Sequence, residues 1–377
     1  MMPELPSDIR LEFPIKERYA FFNHAGVGPI PASTQFAISE FARDAAEEGP
    51  VNYAAWLHGM TLAREAAGEM LNARPYDICF VKNTNHGLII AANSVKWKSG
   101  DNVVGFAHEF PANILPWKNL NYLGVEFRAV PERSDYSYDM DEVVARIDSR
   151  TRLLSISWVE YSTGLRNDIA ALAQLCRDKG ILFCVDAIQG LGVLPIDLEK
   201  IPVDFLIADG HKWLLAPEGC GIMYVNPKVI DQLNPSMVGW CGQLNPQDYD
   251  NTDQGYKPDA RRFEEGSHNL MTIRALGTSL RVLIDSGADV VERRIEGLTT
   301  RLMEGVRAKG YEVVTPEVWA NRGIVSLRRD GMDVVVVAKS LLDNERIVVA
   351  GRRGFLRVAP HFYNDVEEID RLVAALV

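Results

Sequence analysis

Residues 181–224 constrain the fold more than any other part of the chain; they read ILFCVDAIQGLGVLPIDLEKIPVDFLIADGHKWLLAPEGCGIMY. This stretch holds two apolar runs, ILFCV and DFLIA, which are bounded by turn residues. Such runs are typical of strands in a parallel sheet that is covered on both faces. Ligands of such sheets bind beyond the carboxyl ends of the strands. Asp186 follows the first run, and His211 and Lys212 follow the second, so an acid and an amine are expected at the functional edge of the sheet.

The pairing of Asp186 with Lys212 indicates pyridoxal 5'-phosphate (PLP) as cofactor. PLP needs a lysine for its Schiff base and a carboxylate that keeps its pyridine nitrogen protonated. A lysine is more often a solvated surface residue, but desolvation and nearby cations lower the pKa of an amine until it can attack an aldehyde. Asp186 has a simpler alternative as an acid that caps the next segment. A buried carboxylate needs a partner, however, and a pyridinium nitrogen is one.

Length, charge and cysteine usage exclude several classes of protein. The 377 residues suffice for two or three domains, and a net charge of -11 argues against a nucleic-acid partner. No apolar run approaches the roughly 20 residues that span a bilayer. The N-terminus shows no signal-peptide pattern, so we expect a cytoplasmic protein. The five cysteines have no zinc-ligand spacing, which predicts reduced, mostly buried thiols and no metal site.

Strands and helices alternate along the first two-thirds of the chain, which predicts an α/β fold with a mostly parallel sheet. A polar loop is expected over 235–258, one long helix over 273–307, and short strands with covering helices after it. We predict three parts: an N-terminal arm (1–20), a large PLP-binding domain (21–265) and a small α+β domain (266–377).

The chain resembles the class V aminotransferases among the fold-type I PLP enzymes, a group that includes cysteine desulfurases, kynureninases and isopenicillin N epimerases. The most specific part of this resemblance is VDAIQGLGVLPIDL followed by DFLIADGHKWLLAPEGCGIMYV. The resemblance extends from NHAGVGPIP to the C-terminus. It implies a large domain with a mostly parallel seven-stranded sheet and a small α+β C-terminal domain. It also implies that Lys212 forms the Schiff base, Asp186 pairs with the pyridine nitrogen, Gln189 contacts the ring hydroxyl and His211 lies near the phosphate.

Further blocks resemble cofactor contacts of the same family. NTNHGLIIAANSV implies a phosphate site at the backbone N–H groups of Thr84 and Asn85; helix capping by either residue is the alternative. In HEFPANILPW, Phe110 stands where many members stack a histidine on the cofactor, and a phenyl ring stacks but carries no proton. Thr163 in WVEYSTGLRND implies a cofactor or substrate contact, or else a glycine turn. Ser267 in FEEGSHN would reach the phosphate of a neighbouring subunit, which implies a homodimer with shared active sites.

The C-terminal block GFLRVAPHFYND implies that Arg357 receives the carboxylate of an amino-acid substrate, because a planar guanidinium matches a carboxylate. Asn23 is expected beside the substrate. Arg352 and Arg353 are interpreted as solvated turn residues. Asp209 stands where the family often has a Ser or Thr that binds phosphate. A carboxylate repels phosphate, so we leave Asp209 out of the cofactor shell.

The interval RIVVAGRRGFLR contains no cysteine, and none follows Cys241. Desulfurases carry a mobile loop cysteine there, so persulfide formation at such a loop is disfavoured. The resemblance implies a PLP enzyme that acts on an α-amino acid, with transamination as the default reaction. Epimerisation and β- or γ-elimination, such as C–S lyase chemistry, use the same parts and stay open, because the loop residues that would separate them (235–260) cannot be read. A third hypothesis is a non-enzymatic protein of this fold, or a different α/β binding protein whose lysine is incidental. It predicts that the purified protein shows no absorbance near the aldimine band.

Overall fold

The computed structural model describes residues 2–5, 7–316 and 323–376. Its α-helices are α1 Ala32–Glu47, α2 Tyr53–Leu71, α3 Thr84–Ser94, α4 Leu115–Asn119, α5 Met140–Arg146, α6 Ile169–Lys179, α7 Leu270–Ser286, α8 Ala288–Ala308, α9 Val334–Glu345 and α10 Val366–Ala375. Its strands are β1 Ala20–Phe21, β2 Ile78–Val81, β3 Asn102–Phe106, β4 Glu126–Val130, β5 Thr151–Ser157, β6 Leu182–Asp186, β7 Phe205–Asp209, β8 Gly221–Val225, β9 Glu312–Val313, β10 Val325–Arg328, β11 Ile347–Val348, β12 Ala350–Arg352 and β13 Phe355–Val358.

The centre of the fold is a seven-stranded sheet in the order β2-β8-β7-β6-β5-β3-β4. The pairs from β4 through β3, β5 and β6 to β7 are parallel, whereas β8 runs antiparallel to both of its neighbours. The predicted mostly parallel seven-stranded sheet is therefore confirmed.

The sheet is covered on both faces because successive side chains of its strands point to opposite sides. Along β6, Phe183 and Val185 join the core that includes α2, α6 and α7, while Cys184 joins the core beneath α3 and α4. Each large apolar side chain buried in this way stabilises the fold by about 1.5–3 kcal/mol relative to an exposed one. This two-sided burial explains the continuous apolar runs in the sequence.

The C-terminal part contains a second sheet with the order β12-β13-β10-β9, whose strand pairs are antiparallel. It shares an apolar core with α8, α9 and α10. The N-terminal strand β1 pairs in parallel with β11, and Asn23 forms a bridge with Ala359. This pairing brings the segment around Asn23 close to β13. The division into an arm and two domains stays a prediction.

The prediction of one long helix over 273–307 is wrong. The chain forms α7 and α8 with Gly287 between them, at a φ of 81° that a glycine adopts without a Cβ clash. The break is required because α7 packs on α1 and α2, whereas α8 packs on α10.

Other expectations agree with the structure. All five cysteines are buried, as predicted. Residues 235–258 are all described, and they form no α-helix or strand, only a short 3-10 turn at Trp240–Gly242. In the described part of the chain, every helix is too short or too polar to cross a membrane.

Candidate active site

The candidate site lies where four strands of the large sheet end. Thr84 and Asn85 begin α3, which follows β2, and Phe110 lies in the loop after β3. β6 ends at Asp186, and Lys212 follows β7 by three residues. These side chains line one cavity of about 510 Å³. Four further predicted residues line it as well, namely Asn23, Gln189, His211 and Arg357.

Asp186 and Lys212 form the electrostatic centre of the cavity. Asp186 is 2% exposed, and its carboxylate accepts a hydrogen bond from the Ile188 amide at 3.0 Å. Burial raises the pKa of Asp186 to about 6, although the Ile188 amide and Lys212 oppose this rise. Desolvation lowers the pKa of Lys212 to about 8, Asp186 opposes this change, and the charge of Arg357 adds to it. The amine is therefore close to the range in which it acts as a nucleophile.

Gln189 is held by both ends of its amide. Its Nε2 donates to the Ala25 carbonyl at 3.0 Å, and its Oε1 accepts from Trp213 Nε1 at 2.8 Å. Because a side-chain amide has two N–H donors, one remains for a ligand in the cavity. The side chain is thus fixed in place and still able to contact a ring hydroxyl.

The N-terminus of α3 forms the anion-binding end of the cavity. The helix is capped by Asn83, whose side chain accepts from the His86 amide at 2.8 Å. The alternative of capping by Thr84 or Asn85 is therefore wrong. These two residues are the first of the helix, where backbone N–H groups lack partners within the helix and favour an anion.

Asp209, which the sequence alone leaves out of the cofactor shell, is buried beside this anion-binding end and lines the cavity. Its Oδ1 accepts a hydrogen bond from the Gly210 amide at 2.7 Å. Its Oδ2 lies 2.9 Å from His211 Nδ1, but this contact is an ion-pair distance and not a hydrogen bond. Its backbone N–H donates to Thr84 Oγ1 at 3.0 Å. Asp209 therefore joins β7, α3 and His211, which accounts for an acid next to a phosphate site.

Phe110 is held over the lysine by the loop after β3. Lys212 Nζ lies 5.7 Å from the centre of the Phe110 ring, and this ring meets Tyr161 edge to face at 5.3 Å. Asn113 anchors the loop, because its Oδ1 accepts from Ser155 Oγ at 2.6 Å and from Trp117 Nε1 at 3.1 Å. The exposed phenyl ring thus forms an apolar wall of the cavity.

Arg357 enters the cavity from β13. Its guanidinium donates from Nη1 to the Tyr161 carbonyl at 2.7 Å and from Nη2 to Asn23 Oδ1 at 3.4 Å. Its Nε is buried and has no hydrogen-bond partner among the described residues. Burial lowers the pKa of Arg357 to about 9, and the charge of Arg352 adds to this effect. A ligand carboxylate would give Nε a hydrogen-bond partner and would offset the repulsion between Arg357 and Arg352.

Two predicted residues lie elsewhere. Thr163 is buried in a glycine turn, where its Oγ1 accepts from the Leu165 amide at 3.3 Å, as in the alternative interpretation. Ser267 lines a different cavity of about 710 Å³, so a contact with a partner subunit stays a prediction. Sequence reasoning missed Tyr161, although it lies two residues before Thr163 in the block WVEYSTGLRND. It also treated Arg352 as a solvated turn residue, whereas Arg352 lines the cavity.

The residues present fit PLP. Asp186 offers a buried carboxylate for a ring N–H cation, Lys212 an amine of lowered pKa, and Gln189 a free N–H. The start of α3 offers amides to a phosphate. The binding role of each of these residues is a proposal.

Known proteins share both the sequence pattern and the fold. The model of the family described as "Aminotransferase class-V" matches residues 38–372. The chain is 28% identical to a probable cysteine desulfurase of Methanothermobacter thermautotrophicus over 97% of this chain and 96% of that protein. It is 25% identical to the uncharacterized aminotransferase YcbU of Bacillus subtilis over the full length of both. The apo structure of a cysteine desulfurase from Thermococcus onnurineus NA1 has the same fold, with a TM-score of 0.89 at 23% identity over 100% of this chain and 98% of that one.

Proposed function

The chain belongs to the class-V aminotransferase family, whose enzymes depend on PLP, and we propose that it is an aminotransferase acting on an α-amino acid. The observation that supports this proposal is the arrangement of Lys212, Asp186 and Arg357 in one cavity. An amine, a buried acid and a carboxylate receptor are the three groups that such a reaction requires of the protein.

Bound PLP supplies an electron sink for the electrons left when a bond to the α-carbon breaks. Lys212 would hold this cofactor covalently, and its Nζ is the group that would move a proton at the α-carbon. A pKa of about 8 leaves a fraction of this amine neutral near physiological pH. Phe110 covers Nζ on one side, which limits the access of water to the proton transfer.

Asp186 would keep the pyridine nitrogen of PLP protonated. Its pKa of about 6, which includes the effect of Lys212, means that it is mostly ionised at neutral pH before a ligand binds. A cationic N–H within hydrogen-bond distance would lower that pKa further. The carboxylate is held by the Ile188 amide, so it does not need to reorganise.

Arg357 orients the substrate through its carboxylate. The Tyr161 carbonyl and Asn23 fix the guanidinium plane, and this leaves Nε as a buried donor without a protein partner. A bidentate contact at this site fixes the rotation of the substrate about its α-carbon. The bond that breaks is thereby held in one orientation relative to the lysine.

The hairpin before Arg357 disfavours desulfurase chemistry. β12 and β13 are joined by Arg353 and Gly354 alone, with φ angles of 50° and 79°. This tight turn contains no cysteine and is too short for a mobile loop. Cys241, the last cysteine in the sequence, lines the separate 710 Å³ cavity.

A homodimer is part of the proposal. Ser267 lies in the 710 Å³ cavity with several apolar side chains, including Tyr53, Leu57 and Trp240, which are substantially exposed in the single chain. Ser267 would reach the cofactor phosphate of the other subunit. A cytoplasmic location stays a prediction.

Product analysis tests the reaction type. The purified enzyme is mixed with a panel of amino acids, and the products are identified. A keto acid together with pyridoxamine phosphate supports transamination. An inverted amino acid would instead establish epimerisation, and sulfide or ammonia with regenerated PLP would establish elimination; either result would overturn the proposal.

A further inference from the structure

Arg352 is a cation in the candidate site without a carboxylate partner. Its exposed side chain lines the same cavity as Arg357 and Lys212. Within the described residues, its guanidinium makes one hydrogen bond, from Nη1 to the Gly351 carbonyl at 2.8 Å, and no ion pair. The adjacent Arg353 differs, because it donates to both oxygens of Glu132 at 3.0 and 2.9 Å.

The strand register places Arg352 and Arg357 on one face of the small sheet. Ala350 on β12 lies opposite Arg357 on β13, and Arg352 lies opposite Phe355. Because side chains alternate along a strand, Arg352 points to the same face as Ala350 and hence as Arg357. The two arginines are diagonal cross-strand neighbours, a relationship that corresponds to about 7–8 Å. Long side chains at that spacing can contact two ends of one small molecule.

The acids of the cavity are already engaged by other groups. Asp186 is paired electrostatically with Lys212 and accepts from the Ile188 amide. Asp209 accepts from the Gly210 amide and lies against His211. Arg352 instead adds its charge to that of Arg357 and disfavours the charged form of the buried guanidinium. An anion bound between the two would remove this repulsion.

We propose that Arg352 binds an anionic group on the substrate side chain, so that the enzyme prefers amino acids with an acidic side chain over their neutral amides. The proposal rests on the proposed function, in which Arg357 holds the α-carboxylate. Arg352 then determines specificity and takes no part in the proton transfer. The substrate class is a dicarboxylic amino acid, in which the two negative ends meet the two arginines.

Binding of unreactive acids tests the proposal without turnover. The affinity of the PLP-loaded enzyme for glutarate and for glutaric acid monoamide is measured by calorimetry. A hydrogen-bonded charge contact contributes about 1.5–3 kcal/mol, so wild type is expected to bind glutarate roughly tenfold to a hundredfold more tightly than the monoamide. In Arg352→Gln this ratio falls to about one.

Two variants serve as controls. Arg328→Gln makes the same charge change in the same small sheet, at an exposed residue that pairs with Glu312 at 2.6 Å, and it keeps the wild-type ratio. Arg352→Lys retains the charge but loses the planar guanidinium with its two parallel donors. It should therefore still prefer glutarate over the monoamide, but by a smaller ratio than wild type. The visible absorbance of the cofactor confirms that each variant is loaded.

Equal wild-type affinity for the two acids, or an unchanged ratio in Arg352→Gln, would overturn the proposal. Turnover is measured separately with glutamate and glutamine. If glutarate is preferred through Arg352 but no amino acid of the wider panel yields a keto acid, the proposed function fails and the subsite stands. If both amino acids are transaminated at equal efficiency, the subsite fails and the function stands.

Discussion

Replacing Lys212 by methionine is expected to stabilise the cofactor-free protein. Folding transfers the ammonium group into a desolvated site, which lowers the pKa of Lys212 from 10.5 to about 8. At about 1.4 kcal/mol per pKa unit, keeping this lysine charged costs the folded state about 3 kcal/mol. The value already includes the attraction to Asp186, so the cost is a net one. Methionine has a similar length and no charge to desolvate.

The pH dependence follows from the sign of this change. The folded pKa lies below the unfolded one, so the cost is present in full below about pH 8 and declines as the pH rises toward 10.5. Lys212→Met should therefore raise the free energy of unfolding by about 3 kcal/mol at pH 7 and by about 1.4 kcal/mol at pH 9.5.

Urea denaturation of the cofactor-free proteins at both pH values measures the effect. Lys228→Met, at an exposed lysine, should change the free energy of unfolding by less than about 0.5 kcal/mol at either pH. The reasoning is refuted if Lys212→Met is no more stable than wild type at pH 7, or if its gain is the same at pH 7 and pH 9.5.

Two other substitutions test buried contacts of the fold, each by urea denaturation. In the wild type, the buried Glu264 carboxylate lies 2.9 Å from the Arg64 guanidinium. Arg64→Met removes this cation and should lower the free energy of unfolding by about 3–5 kcal/mol. A loss below about 1 kcal/mol would contradict this prediction. Gly87→Ala puts a Cβ 2.6 Å from Ile207 Cγ2 and should lower the free energy of unfolding by about 1–3 kcal/mol. The control Gly59→Ala meets only ordinary contacts in α2 and should raise it by about 0.5–1 kcal/mol. Equal effects of the two substitutions would show that the close approach of α3 to β7 does not affect stability.

The sequence predicts the sheet and its functional edge because both depend on local patterns. Buried strands require continuous apolar runs, and the ends of those runs place Asp186 and Lys212. The same logic places Thr84 and Phe110 after β2 and β3. The site residues that follow strand ends can therefore be predicted from the sequence.

Contacts between distant segments were not predictable in this way. Asp209 looks misplaced beside a phosphate site until its backbone is seen to donate to Thr84, 125 positions away. The direction of Arg352 depends on a two-residue turn through Arg353 and Gly354 and on the register of β12 with β13. The break at Gly287 is imposed by helices that pack on different parts of the molecule, while the local sequence remains helical in character.

Reductive trapping tests most directly whether Lys212 holds PLP. The enzyme purified with PLP is treated with borohydride, digested and analysed by mass spectrometry, with Lys212→Ala treated in parallel. We predict that the reduced cofactor is found on the peptide that contains Lys212, and that the variant carries none. Modification of a different lysine in the wild type, or equal labelling of the Lys212→Ala protein, would contradict the account.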